Sequence, residues 1–299
     1  MARQIRWVRA YVIHARTQDG VVDYVDFFSR IFTLPQSALR IQIHRELVIA
    51  VNRVLIQGGI ITVRFASGNP EEVPLLYNDE TGELAIATTP DGTWLASATH
   101  VAIVPESRVI IVEGTRRGVG ATNLERYFSK VVRERGLMDR VTLDISPLPS
   151  PSFEEELDRF TRIREAVIEV GRPNFDWDDN NDMLSELAAD SGGQKAQVAV
   201  VAAKGQSLEK VGGIIQVIRE HVSNGLANIR NVKIFGRKED DRADSSLTLE
   251  KHQLQATVDV EATLARDVED EIVFAAEIEL AERAQALIRE RGERSEAER

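Results

Sequence analysis

The sequence contains no cysteine, which excludes disulfide bonds, thiolate metal sites and cysteine nucleophiles. This absence favours a reducing compartment. No apolar run approaches the roughly 20 residues that a membrane-spanning helix needs. The N-terminal stretch MARQIRWVRAYVIHAR mixes charged with apolar residues, whereas a signal peptide separates a basic region from an apolar one. We therefore expect a cytoplasmic protein.

The sequence also lacks the excess of positive charge that would by itself indicate a nucleic-acid-binding protein. The 299 residues carry a net charge of −11. Residues 1–150 contain 17 basic and 16 acidic side chains, whereas residues 151–299 contain 20 basic and 32 acidic ones. The N-terminal half can therefore carry a local basic patch, while the C-terminal half would repel a polyanion.

Motifs of the common catalytic classes are absent as well. The sequence has no Gly-x-Ser-x-Gly elbow and no HExxH motif, and its five histidines are scattered, which favours structural roles for them. Asp176, Asp178, Asp179 and Asp182 lie close together, but the glycine and the closing glutamate of a calcium loop are missing. We interpret these aspartates as charges that cap the next helix. We expect no catalytic residue, no bound metal and no cofactor.

The hydrophobic pattern predicts an α+β protein with a strand-rich N-terminal lobe. Stretches such as LRIQIH and GIITVRFASG are typical of strands. PLLYNDETGELAIATT is typical of a hairpin, because two apolar runs flank a turn sequence. We also expect short helices at about 22–32 and 46–57 in this half.

Helices and strands alternate in the second half, which predicts an α/β C-terminal lobe. The strand AQVAVVAA, a helix at 206–222 and the strand ANIRNVKIFG indicate a βαβ unit, and a long C-terminal helix follows from about 263. We therefore divide the chain into a strand-rich domain (1–147), an α/β domain (148–262), and a terminal helix with a charged tail (263–299).

The stretch VEGTRRGVGATN, at residues 112–123, joins an apolar strand to three glycines and two adjacent arginines. Its glycines do not have the spacing of a dinucleotide fingerprint, and no Gly-Lys-Ser/Thr follows as in a P-loop. Glycines let a backbone approach a ligand, and a helix predicted from about 122 to 135 offers N–H groups at its start. Arg116 and Arg117 are therefore candidate anion-binding residues.

The predicted helix extends this basic surface. The spacing i, i+3, i+4, i+7 predicts one buried face formed by Leu124, Tyr127, Phe128 and Val131. Arg126, Lys130 and Arg133 fall on the opposite face. Together with Arg116 and Arg117 they predict a basic strip that suits a phosphate backbone better than one small phosphate. The alternative is an ordinary loop whose arginines pair with neighbouring glutamates such as Glu125 and Glu134.

The element order resembles that of the Rex-type phage-exclusion sensor proteins and related bacterial defence proteins. The resemblance rests on the strand-rich first half, then VIIVEGTRRGVGATNLERYF, then VTLDISPLPSPSFEEELDRFTRIREAVIEV, a βαβ unit and a long terminal helix. It implies a cytoplasmic, DNA-binding sensor of phage infection that forms a homodimer and works with a membrane effector encoded nearby. It assigns no functional residue.

We therefore expect a non-enzymatic sensor that binds nucleic acid, preferably double-stranded DNA, without reading its sequence. One alternative is a metal-dependent nuclease that uses Asp176, Asp178 or Asp179. The other alternative is a protein-interaction module that acts through the acidic lobe and the terminal helix. The apolar segment IVFAA of that helix would then be wedged between lobes or shared with a second subunit.

Overall fold

A computed structural model describes residues 3–17, 20–139, 141–171, 195–224, 229–239, 241, 243–261 and 266–297. The helices of this part of the chain are α1 (Tyr24–Phe32), α2 (Ala121–Glu134), α3 (Pro151–Asp158), α4 (Gly213–Asn224) and α5 (Arg266–Ala297). Its strands are β1 (Arg3–Thr17), β2 (Gly20–Val21), β3 (Ile41–His44), β4 (Leu47–Gln57), β5 (Ile60–Gly68), β6 (Leu75–Tyr77), β7 (Leu84–Ile86), β8 (Ser97–Val104), β9 (Val109–Gly114), β10 (Thr142–Pro147), β11 (Phe160–Gly171), β12 (Lys195–Val201), β13 (Ile229–Lys238), β14 (Ser245–Thr248) and β15 (Gln255–Glu261). This is a mixed α+β fold with a long C-terminal helix, as the sequence predicts.

The first lobe is built on one nine-stranded antiparallel sheet. Its main path runs β10-β1-β9-β8-β5-β4-β3, and both β15 and β2 also pair with β1. The strand β1 is long enough to pair with β15 along its first half and with β10 along its second half. Helices α1 and α2 cover one face of this sheet, and α5 covers the other face.

Alternation along the central strands fills both faces of the sheet with apolar side chains. On β9, Ile110 and Val112 pack into the core beneath α1 and α2, whereas Val109 and Ile111 pack into the core beneath α5. A strand buried on both faces reads as a continuous apolar run, which explains the sequence VIIV. This sandwich of helix, sheet and helix positions the loop after β9 and the start of α2.

The second lobe contains a four-stranded antiparallel sheet with the order β12-β11-β13-β14. Because β12 and β13 both run antiparallel to β11, they are parallel to each other, and α4 connects them. This is the predicted βαβ unit, with one strand inserted between its two parallel strands. Its helix, expected at 206–222, begins only at Gly213, where Gly212 and Gly213 both have positive φ. Helices α3 and α4 supply Phe153, Leu157, Ile215, Ile218 and Val222 to its core.

The structure corrects two of our expectations about the order of elements. Residues 46–57, expected as a helix, form β4, because Gly58 and Gly59 both have positive φ (57° and 79°) and close a tight hairpin with β5. The strand β15, at 255–261, falls within the expected α/β domain (148–262), but it pairs with β1 in the large sheet. The helix α5 packs on that same sheet, so the C-terminal elements return to the first lobe.

Side chains of the two lobes meet around Arg230 on β13. Its guanidinium donates to both carboxylate oxygens of Glu125 on α2, at 3.0 and 2.9 Å, and to Asp144 on β10, at 3.1 Å. Glu125 is therefore occupied by the second lobe and does not neutralise the arginines of its own helix.

Candidate nucleic-acid interface

The glycine-rich loop at 115–120 is fixed to the end of the large sheet. The Thr99 hydroxyl of β8 accepts a hydrogen bond from the Val119 backbone N–H at 2.8 Å. The Ser67 hydroxyl of β5 donates to the Arg117 carbonyl at 3.3 Å. Val119 itself is buried in the core beneath α2. The loop backbone is therefore held from beneath, while the arginine side chains point away from the core.

Helix α2 begins directly after this loop and lies flat on the sheet. The predicted apolar face is confirmed, because Leu124, Tyr127, Phe128 and Val131 are all fully buried. Gly120 is the N-cap residue and offers no side chain to the first turn. The N–H groups of that turn and the positive end of the helix dipole therefore add to the charge of the arginines.

Four arginines form the exposed basic surface, which we call the arginine strip: Arg116, Arg117, Arg126 and Arg133. Within the described part of the chain, none of their guanidinium groups forms a hydrogen bond or an ion pair with another side chain. The pairing with Glu125 that we considered does not occur, since Arg230 holds that carboxylate. The strip is therefore free to bind an external anion.

Lys130 differs from the other four predicted residues. Its amine donates to the carbonyls of Gln42 and Ile43 on β3, at 2.7 and 3.0 Å, and the residue is only partly exposed. Lys130 therefore lies on the side of α2 that meets β3. Lys130 thus flanks the arginine strip and fixes α2 to the edge of the sheet.

Gly118 is expected to be indispensable for the shape of this loop. A Cβ at this position would overlap the hydroxyls of Thr115 and Thr99. We expect Gly118→Ala to destabilise the protein by about 1–3 kcal/mol, as overpacking does elsewhere. Gly120→Ala is the matched control, since a Cβ there meets nothing within 4 Å. Urea unfolding of both variants tests this, and an equal effect of the two would contradict it.

A second group of charged residues, on the opposite face of the large sheet, is not predicted by the sequence patterns. We call it the polar network: Arg6, Arg64, His100, Glu113 and Asp270. His100 Nδ1 lies 2.7 Å from a carboxylate oxygen of Glu113, and Nε2 lies 2.8 Å from one of Asp270. Arg6 donates to Glu113 at 2.9 Å, and Arg64 is hydrogen-bonded to Asp270. Alternation places the four strand residues on the face beneath α5, and Asp270 comes from α5 itself.

The geometry of the polar network favours a charged imidazole. Two carboxylates accept from one ring, so both ring nitrogens must carry a proton. Burial opposes the charge, but the hydrogen bonds and charges of Glu113 and Asp270 outweigh it and raise the pKa of His100. Burial likewise opposes ionisation of the two acids, yet their cationic partners keep the pKa of Glu113 and of Asp270 below the usual range.

The polar network attaches α5 to the sheet. A substrate cannot reach its central side chains, because they are buried. The side chains of His100, Glu113 and Asp270 are at most 1% exposed. The sequence did contain a signal: Glu113 interrupts the apolar run VIIVEG, and Asp270 precedes the apolar segment IVFAA in α5. Their common location could not be read from the sequence, because they lie 157 positions apart along the chain.

Among the described residues, no three or more His, Cys, Asp or Glu side chains are arranged so that they could hold a metal ion. The cluster of Asp176, Asp178, Asp179 and Asp182 lies outside the described residues. Of the described helices, none combines the length and the apolar composition that crossing a membrane would require.

The described structure is a mixed α+β fold in which four exposed arginines lie at and beyond the start of α2. Residues 9–264 match the family described as Domain of unknown function (DUF4747), and the chain belongs to this family. The matched segment begins within β1, includes the rest of the nine-stranded and four-stranded sheets and the arginine strip, and ends before α5. A search of curated proteins found no match to this sequence.

Proposed function

We propose that this protein binds the phosphate backbone of nucleic acid through the arginine strip and acts without catalysis. The observation that carries this proposal is that the four arginines are exposed and have no side-chain partner among the described residues. Phosphate contacts of this kind position a protein on nucleic acid without reading its sequence. Double-stranded DNA is the ligand that the Rex-type resemblance implies.

Helix α2 supports an extended ligand rather than a single phosphate. Arg126 and Arg133 are separated by seven residues, which corresponds to about 10 Å along a helix axis. Arg116 and Arg117 continue the positive surface beyond its N-terminus. A linear polyanion can contact all four groups together, and each contact releases counterions.

The biological setting belongs to the same proposal. A cytoplasmic sensor of phage infection that works with a membrane effector follows from the Rex-type resemblance alone. The arginine strip supplies the surface that such a sensor would need.

The affinity of the wild-type protein for nucleic acid should depend strongly on salt concentration. The double variant Arg116→Ala/Arg117→Ala should show a weaker dependence. Each lost phosphate contact lowers the slope of log K against log salt by about 0.9, so the double variant should lower it by roughly 2. Fluorescence anisotropy with labelled duplex DNA, single-stranded DNA and RNA at several salt concentrations measures this slope.

Arg283→Ala/Arg289→Ala is the matched control, because both arginines are exposed on α5. This variant should retain the slope of the wild-type protein. Absence of binding at low salt, or an equal loss of slope in both double variants, would overturn the proposal.

A further inference from the structure

An apolar hairpin projects from the first lobe. We call residues 69–96, between β5 and β8, the acidic arm. Its strands β6 and β7 pair only with each other. Seven large apolar side chains of the arm are 57–69% exposed: Val73, Leu75, Leu76, Tyr77, Leu84, Ile86 and Leu95. A two-stranded hairpin with exposed apolar side chains is at best marginally stable in water, and such patches mark interaction surfaces.

The charge of the arm has a single sign. It carries six exposed carboxylates and no lysine or arginine: Glu71, Glu72, Asp79, Glu80, Glu83 and Asp91. Two arms packed against each other would therefore repel. The surface that fits the arm must carry positive charge, and the alkyl stems of arginine side chains can cover apolar groups.

The arginine strip begins beside the base of the arm. The Ser67 hydroxyl lies 3.5 Å from the carbonyl of Ser97 and 3.3 Å from that of Arg117, so it bridges both ends of the arm and the loop. At Gly68 a Cβ would overlap the Leu95 carbonyl, so the two ends of the arm pack closely together. An acidic, apolar surface and a basic surface are thus fixed next to each other.

We propose that a second copy of this chain occupies the arm, in a two-fold symmetric dimer. About a two-fold axis near the loop at 115–120, the acidic arm of each protomer contacts the arginine strip of its partner. Under two-fold symmetry, the arm of the first protomer faces the strip of the second, and the arm of the second faces the strip of the first. The two contacts are therefore identical and form together. The carboxylates pair with the guanidinium groups, and the apolar side chains are removed from water.

The available area is sufficient for such a dimer. A standard interface buries about 800 Å² per partner, and somewhat more than half of it is apolar. The seven apolar side chains of the arm expose roughly 400 Å², taking about 60–120 Å² for a whole side chain. The dimer does not depend on nucleic-acid binding. Where both occur they compete, because the partner's arm covers the arginine strip.

Charge reversal tests this interface in the absence of nucleic acid. The arm variant carries Glu71→Lys, Glu72→Lys, Glu80→Lys and Glu83→Lys. The strip variant carries Arg116→Glu, Arg117→Glu, Arg126→Glu and Arg133→Glu. Each variant alone places like charges across the interface and should be a monomer. An equimolar mixture restores both contacts, so it should form a heterodimer.

Sedimentation velocity of the full-length proteins, freed of nucleic acid, measures these states. The wild-type protein should be a dimer that dissociates as salt increases. A control with Glu271→Lys, Glu279→Lys, Glu282→Lys and Glu290→Lys, all exposed on α5, has the same charge change as the arm variant and should remain dimeric. Circular dichroism establishes that each variant is folded.

Three results would overturn the proposal: a monomeric wild-type protein at high micromolar concentration, a dimer that survives both reversals, or a mixture that stays monomeric. A dimer with the expected behaviour and no affinity for DNA would support the interface and contradict the proposed function. Binding of DNA by a monomeric wild-type protein would support the proposed function and contradict the interface.

Discussion

Replacing Asp270 with alanine is expected to destabilise the protein by about 3–5 kcal/mol, as removal of one partner from a buried ion pair does. The substitution removes the acceptor of both Arg64 and His100, and Arg53 lies 3.5 Å from the same carboxylate. Arg64 then loses its carboxylate partner beneath α5, and the His100 ring keeps only Glu113 as a counter-charge. Because α5 covers one whole core of the first lobe, its attachment affects the entire sheet.

Asp259→Ala provides the matched control for this experiment. Asp259 also pairs with an arginine, at 3.4 Å from Arg3, but both side chains are more than half exposed. Exposed pairs of this kind contribute about 0–1 kcal/mol. Urea unfolding followed by circular dichroism compares the two variants. Similar losses of stability in both would show that the polar network does not secure α5.

The second large effect is expected at Glu277, where substitution should stabilise the protein. This residue is fully buried on the sheet-facing side of α5, and neither carboxylate oxygen has a hydrogen-bond partner among the described residues. Burial, assisted by the charge of Glu113, raises the pKa of Glu277 well above its usual value. Glu277→Met fills a similar volume without a polar group. It should raise the free energy of unfolding at pH 8 by about 1–3 kcal/mol, the usual cost of an unsatisfied polar group.

The pH dependence gives this prediction a definite sign. Between the usual carboxyl pKa and the raised one, the folded protein binds a proton at Glu277 that the unfolded chain has lost. Stability therefore falls as pH rises through this window. The raised pKa of His100 acts in the same direction above pH 6.5. The gain from Glu277→Met should accordingly be small at pH 5 and larger at pH 8.

Glu277→Gln separates titration from polarity. It keeps a buried polar group but cannot ionise, so it should reduce the pH dependence and stabilise less than methionine. Burial lowers the pKa of His14 to about 4, so that histidine weakens the fold only as pH falls below 6.5. Its contribution is opposite in sign and is confined to pH values below 6.5. An equal gain from Glu277→Met at pH 5 and pH 8 would contradict an ionisable Glu277.

Sequence periodicity located most elements of this fold. The buried face of α2, the hairpin of β6 and β7, and the βαβ unit around α4 all follow from local patterns. Periodicity failed at 46–57, since β-branched residues in the run LVIAVNRVLIQ fit an apolar helix face as well as a strand. The Gly58–Gly59 turn pairs that run with β5, and the run therefore forms a strand.

The sequence by itself determined the class of fold, the position of the basic loop and the buried face of the helix beside it. These are local properties, set by residue spacing and by the chemistry of short stretches. Only the tertiary structure decided that β15 and α5 return to the first sheet, and that Asp270 meets His100 across its face. It also placed the acidic arm beside the arginine strip, because contacts between distant segments depend on strand order, which local patterns do not encode.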